Sequence, residues 1–118
     1  MIRKQQLAFK EKNFMELNLS LSPSQAKFAL WIEQNTPYLL PLFDFKQRIL
    51  RVNNVEHFLG AASHGQSIMA RFVLGVWIGS DGFDFDFTEA AAVLDREQRQ
   101  VITDWILDPF GPNQQSRK

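Results

Sequence analysis

Between Ile68 and Ile78 the chain reads IMARFVLGVWI, and Arg71 is its only polar side chain. On a helix of 3.6 residues per turn, Ile68, Met69, Phe72, Val73, Val76 and Trp77 fill one broad face. Leu74 and Ile78 spill on to the other. A helix that is apolar nearly all round is a buried one. The stretch is shorter than the roughly 20 residues a bilayer span needs, so it predicts the centre of a globular core. Ser63 and Gln66 have the spacing of a capping box, with the hydroxyl accepting from the Gln66 N–H and the Gln66 amide reaching back. Gly79 suits the C-terminal cap. Gly75, four residues earlier, predicts close helix packing rather than the dimerisation motif of a membrane helix.

The flanking pattern predicts further short helices. Ser22-Pro23-Ser24-Gln25 combines a serine cap, proline at the first helical position and glutamine at the third. The helix it starts runs from Pro23 to about Gln34, with Phe28, Trp31 and Ile32 on one face. Thr36-Pro37 stops it and opens a second piece, Pro37 to Phe43, made irregular by Pro41. Asp44 to Val52 suits a short strand or a connector. Asn53 and Glu56 form another cap-like pair, predicting a helix from Asn54 to about Gly60 that buries Val55, Phe58 and Leu59. Asp95 and Gln98 form a capping box for a last helix reaching about Leu107, with Val101, Ile102, Trp105 and Ile106 inward. Asp108-Pro109 and Gly111-Pro112 end it.

Two stretches have a period of two instead. Leu17, Leu19 and Leu21 alternate with Asn18 and Ser20, as in a short extended segment. After the Ser80-Asp81-Gly82 turn signal, Phe83, Phe85 and Phe87 alternate with Asp84 and Asp86. Extended backbone would put the three rings on one side and the two carboxylates on the other. Asp86 or Thr88 then caps a short helix, Glu89 to Leu94. The pattern as a whole predicts an all-α fold: a compact bundle of five to six mostly short helices around a buried central helix at about 64–79, with room for a minor N-terminal extended segment or strand pair. The organisation it implies is a basic, extended segment at 1–21, a single helical domain at 22–112 and a tail at 113–118.

Composition narrows the function classes. Hydrophobic residues make up 45% of the 118, with 11 Phe and 3 Trp, which is enough for a core. Formal net charge is zero, so no global field draws the protein to nucleic acid. The charge is uneven: residues 1–51 carry 8 basic and 4 acidic side chains, and 52–118 carry 5 and 9. The absence of cysteine excludes disulfides, a thiolate nucleophile and cysteine-ligated metals. MIRKQQLAFKEKNF lacks the apolar run of a secretion signal, so a cytoplasmic location is expected.

Asp81, Asp84 and Asp86 are the best metal candidates, since oxygen-rich loops hold calcium or magnesium. With Asp84 as the first ligand of a twelve-residue calcium loop, Glu89 falls where the turn needs glycine and Asp95 where a bidentate Glu is usual. No metal and no cofactor is therefore expected. His57 and His64, seven residues apart, lack the i, i+4 spacing of a metal pair. Ser63 and His64 are adjacent at a helix start and point apart, so no catalytic residue is expected. Ser63, His64 and Gly65, at a helix N-terminus, are an anion or ligand candidate, although no Lys lies beside them.

Two binding surfaces remain. Asp81, Phe83, Asp84, Phe85 and Asp86, extended by Phe110, form an acidic and aromatic strip suited to a protein contact. Lys46, Arg48 and Arg51, with Phe45 nearby and the basic N-terminal arm, suit a nucleic-acid contact. The expectation is a small non-enzymatic protein-binding module, an adaptor, subunit or inhibitor. The alternative is a nucleic-acid-associated accessory protein using the 46–51 patch. No membrane contact is expected. Exposure of Trp77 or Phe83 would favour a homodimer.

Overall fold

The computed structural model describes residues 22–112. Among them are five α-helices, one 3-10 helix and one small hairpin: α1 (Pro23–Asn35), the 3-10 helix (Pro37–Leu42), β1 (Phe43–Asp44), β2 (Ile49–Leu50), α2 (Val52–Ala61), α3 (His64–Ile78), α4 (Phe87–Val93) and α5 (Arg96–Leu107). The fold is the mostly helical bundle that the pattern predicts. The extended segment expected around Leu17–Leu21 lies outside the described residues.

The central helix is α3. It buries Ile68, Met69, Ala70, Phe72, Val73, Leu74, Val76 and Trp77. Six further elements share one buried cluster with it: Phe28 and Ile32 from α1, Leu39 and Leu42 from the 3-10 helix, Phe43 from β1, Val55 from α2, Ala90 from α4 and Ile102 from α5. Phe28 is the hub. Its ring lies 5.2–6.4 Å from those of Trp31, Phe43, Phe45 and Trp77. Arg71, the one charged side chain of α3, reaches out to donate Nη1–H to the Phe83 carbonyl (2.9 Å), tying the loop after the helix back on to it. Trp77 is buried and Phe83 half-buried, so neither ring is freely exposed.

The caps follow sequence closely. Ser22 and Gln25 exchange both capping-box bonds, as do Asp95 and Gln98. At α3 only half of the expected box forms: the Ser63 hydroxyl accepts from the Gln66 N–H (3.2 Å), and no return bond is made. At α2 the expected start is displaced. The helix begins at Val52 with no side-chain cap, because the hairpin ladder continues through Arg51, whose N–H donates to the Leu42 carbonyl (2.8 Å). Asn54, inside the first turn, donates its side-chain N–H to Pro41 O instead (2.8 Å).

Two glycine roles are exchanged. Gly79 takes the left-handed cap (φ 75°), and the N–H groups of Gly79 and Ser80 both donate to the Gly75 carbonyl, the wrapped turn that ends many helices. A Cβ on Gly75 would lie 3.1 Å from Ser80 O, so its own C-terminal turn, not a neighbouring helix, needs the space. The glycine that admits a neighbour is Gly65, where a Cβ would lie 3.4 Å from the Gln98 side chain and 3.8 Å from that of Leu94.

The hairpin pairs Phe43 with Leu50 and Asp44 with Ile49. Arg48 sits at φ 62° in its four-residue turn, and the Asp44 carboxylate accepts from the Gln47 N–H (3.0 Å). On α5 the expected inward face is only partly covered. Ile102 is buried and Val101 and Trp105 half-buried, but Ile106 is exposed and Leu107 is 78% exposed.

Candidate functional site: an aromatic groove and a polar cleft

The Ser80–Asp86 loop does not alternate as the sequence pattern predicts. The Asp84 N–H donates to Asp81 O (3.0 Å), closing a tight turn, and Asp84 takes φ 62°. This left-handed step breaks the period of two. Phe83 turns aside, while Phe85 and Phe87 meet edge to face at 5.0 Å. Asp86 caps α4, accepting from the N–H groups of Thr88 and Glu89 and from the Thr88 hydroxyl (2.6 Å). That hydroxyl, followed by the Glu89 N–H, holds the Asp86 carboxyl below the usual aspartate value. Phe87 therefore enters the helix at its first position and stays 58% exposed.

A groove of about 300 Å3 runs beside these rings. Phe72, Val76, Phe85, Phe87 and Trp105 line it, and exposed Asp81 stands at its edge. The rings continue past the groove. Phe85 lies 5.2 Å from Phe72, Phe72 lies 6.0 Å from Trp31, and Trp31 lies 5.2 Å from Phe110. Phe110 and Phe85, 25 residues apart in sequence, thus belong to one aromatic run through Trp31 and Phe72. The Phe110 end is partly closed: Lys27 Nζ lies 4.7 Å over its ring, and Trp105 Nε1–H donates to its carbonyl (2.9 Å). The Phe87 end is open. Asp81 and Phe85 belong to the strip that the sequence pattern suggests, and Phe87 is the third of its alternating rings, whereas nothing in the pattern points to Phe72 or Trp105. Phe72 and Trp105 read as plain core positions, and only the fold shows that one edge of each is left uncovered.

The second depression shares no lining residue with the first. It has a volume of about 500 Å3 and lies between the C-terminal end of α1 and one face of α5. Glu97, Gln100, Val101 and Asp104 line it from α5 at i, i+3, i+4 and i+7, with Asp95 just ahead of the helix. Gln34, Asn35, Thr36 and Tyr38 line it from the other side. Thr36 is 3% exposed, and its hydroxyl is the one buried side-chain polar atom without a hydrogen-bond partner among the described residues. Its backbone is fully engaged, donating to Ile32 O and accepting from the Leu39 N–H. Leaving a buried hydroxyl unpaired costs about 1–3 kcal/mol, so something must compensate or the site carries that cost. Burial, followed by the nearby Asp95 charge, raises the Tyr38 pKa above the usual tyrosine value.

The remaining candidates are dispersed. His64 donates Nε2–H to a Glu89 carboxylate oxygen (2.8 Å), which puts a negative group beside the N-terminus of α3. Ser63 is committed to the Gln66 N–H, and Gly65 faces Gln98. In the hairpin, Phe45 is buried and stacks on Phe43 at 5.5 Å, so it offers no face to a base, in contrast to the expected basic and aromatic patch. Arg51 pairs with Asp44 at 3.5 Å. Lys46 and Arg48 are exposed on the turn. Among the described residues no three His, Asp or Glu side chains are placed to hold a metal ion, and no helix is long and apolar enough to cross a membrane. No known protein family, curated protein or solved structure matches the chain.

Proposed function

We propose that this protein is a small binding module that acts by association rather than catalysis, and that its groove takes a bulky apolar side chain from a partner protein. The open end of the aromatic run carries this reading. Phe87 leaves most of its ring in water at the lip of a groove walled by Phe72, Val76, Phe85 and Trp105. Uncovered rings of this kind are where interfaces concentrate their binding energy. The surroundings set the partner's charge. Asp81, Asp84 and Asp86 are all exposed in the adjoining loop, and residues 22–112 carry 7 basic and 11 acidic side chains, a net −4. The matching segment has a Phe, Trp or Leu anchor flanked by Lys or Arg. Neither histidine lines the groove, and its one hydroxyl, on Ser80, accepts from the Gly82 N–H (3.4 Å).

The test is selection from a random peptide library displayed on phage. Enriched peptides should share an aromatic or leucine anchor with basic neighbours, and Phe87→Asp should weaken them by at least about tenfold. Phe87→Asp suits the first turn of a helix, where acidic side chains are favoured, so α4 should survive. Asp81→Lys should discriminate against the basic neighbours while leaving the anchor preference. Asp84→Lys and Asp86→Lys are poorer probes, because Asp84 sits at positive φ and Asp86 caps α4. Enriched peptides that bind Phe87→Asp as well as wild type would overturn the proposal, as would a library that yields no shared sequence.

A further inference from the structure

An occupant of the aromatic groove needs an apolar anchor to lie beside Phe87, basic neighbours for the exposed Asp81, Asp84 and Asp86, and enough chain to arrive there. The chain itself holds such a segment. Residues 1–21 carry 4 basic and 2 acidic side chains, and 113–118 carry 2 basic and none acidic. Both outlying segments are therefore positive, opposite in sign to residues 22–112. The C-terminal one, NQQSRK, has no apolar side chain and supplies no anchor. The N-terminal one has two rings, Phe9 and Phe14. Phe14 stands between Asn13 and Met15, with Glu16 beyond. Phe9 is followed by Lys10 and Lys12 and preceded by Arg3 and Lys4, and Glu11 is the only acidic side chain in residues 1–12. Phe9 is thus an aromatic anchor with the basic neighbours that the acidic loop calls for.

The distance can be covered. Ser22 caps α1 nine residues before Trp31, about 14 Å along the helix, and the Trp31 ring lies 6.0 Å from that of Phe72 in the groove wall. Phe9 precedes Ser22 by 13 residues, which span up to about 43 Å when extended. The run of rings already accepts a cation at its other end, where Lys27 Nζ sits over Phe110. Tethering also presents the anchor at an effective concentration on the order of millimolar, so one ring and a few charges, too weak a set between separate molecules, suffice within one. We propose that residues 1–12 turn back on to the groove, with Phe9 beside Phe87 and Lys10 and Lys12 against Asp81 and Asp84, so that a partner segment must displace the chain's own. The inference rests on the groove's taking an apolar anchor with basic neighbours, and adds that the site is held closed from within.

The chain has no cysteine, so Gln6→Cys gives a single attachment point for a nitroxide, three residues before Phe9. A nitroxide broadens the NMR signals of amides close to it. In the full isotope-labelled chain, the amides of Gly79, Ser80 and Asp81 in the groove lining should lose more than half their intensity. The loss should disappear when Phe9→Ser or Phe87→Asp is added, and the same spectra show that each variant is folded. Mixing nitroxide-bearing unlabelled chains with isotope-labelled chains that lack the nitroxide reads contacts between molecules, and should show no loss. Broadening that is absent, spread evenly over the exposed helices, unchanged by Phe9→Ser, or reproduced in the mixture overturns the proposal. Phe9→Ser should also raise the affinity of a library-selected peptide by at least about threefold, the factor expected where the arm fills the groove in two of three molecules. Unchanged affinity would overturn the competition. The broadening needs no peptide, so a library without a shared sequence would sink the partner reading and leave this test standing. Peptides that bind through Phe87 without any broadening would do the reverse.

Discussion

Gly60 and Gly75 both sit inside helices, yet alanine should act in opposite directions at the two. A Cβ on Gly60 meets nothing within 4 Å, so Gly60→Ala gains helix propensity and should stabilise by about 0.5–1 kcal/mol. At Gly75 the same gain is offered, but the Cβ would press to 3.1 Å on Ser80 O. That carbonyl belongs to a turn fixed by two bonds to Gly75's own carbonyl, so it has little freedom to retreat. Gly75→Ala should destabilise by about 1 kcal/mol, in the range of mild overpacking. Urea denaturation of the two variants checks the sign of each. The sequence marks both residues only as glycines, and its G-x-x-x-G spacing suggests helix packing at Gly75. The contact that decides the matter is within one helix and its cap, and appears only when the chain has turned back. Thr36 is a similar case. Thr36-Pro37 was legible as a helix stop, but whether the hydroxyl finds a partner depends on where Tyr38 and α5 come to lie.

At the scale of elements, helix starts were the most legible feature because caps are local chemistry. Ser22 with Gln25 and Asp95 with Gln98 need only three residues of spacing to be recognised, and both boxes form. The loop before α4 was not legible, because its alternating F-D-F-D-F pattern is overridden by the positive φ at Asp84, a non-glycine that nothing in the sequence singles out. The inward face of α5 was half legible: periodicity gave Ile102, but not that α5 lies at the edge and leaves Ile106 and Leu107 in water. α4 itself has only seven residues, well below the length at which isolated helices are stable, so its cap matters more than its propensity. The Asp86 carboxyl is held below the usual aspartate value, first by the Thr88 hydroxyl and then by the Glu89 N–H. A lowered folded-state pKa supports the fold above the unfolded value, and that support fades as pH drops through the folded value. The protection of the Ala90 and Leu94 amides, measured against intrinsic exchange at the same pH, should therefore fall below about pH 4, more than that of Ile102 in α5. In Asp86→Ala it should already be low at neutral pH, without the extra acid step. Unchanged protection in that variant would mean that packing, not the cap, holds α4.

The whole molecule is organised around rings that meet across elements distant in sequence. Phe28 from α1 touches Phe43 of β1, Phe45 of the hairpin turn and Trp77 of α3. The hairpin has only two residues per strand and would not stand alone, so it persists because Phe43 and Phe45 are anchored on that cluster. Phe28→Ala removes the shared partner and should cost about 3–5 kcal/mol, a large share of the roughly 5–15 kcal/mol that stabilises an ordinary domain. Phe87→Ala takes away a ring of similar size at the groove lip and should change stability by no more than about 0.5 kcal/mol, although both residues are simply phenylalanine in sequence. The same denaturant titration should be followed by far-UV circular dichroism for the helices and by near-UV circular dichroism for the packed rings. If one cluster holds helices and hairpin together, both signals move with a single midpoint, and Phe28→Ala shifts the two equally. Near-UV signal lost at lower denaturant than helicity would show that the hairpin and its rings detach first. The aromatic hub would then be a local clasp and not the centre of the fold.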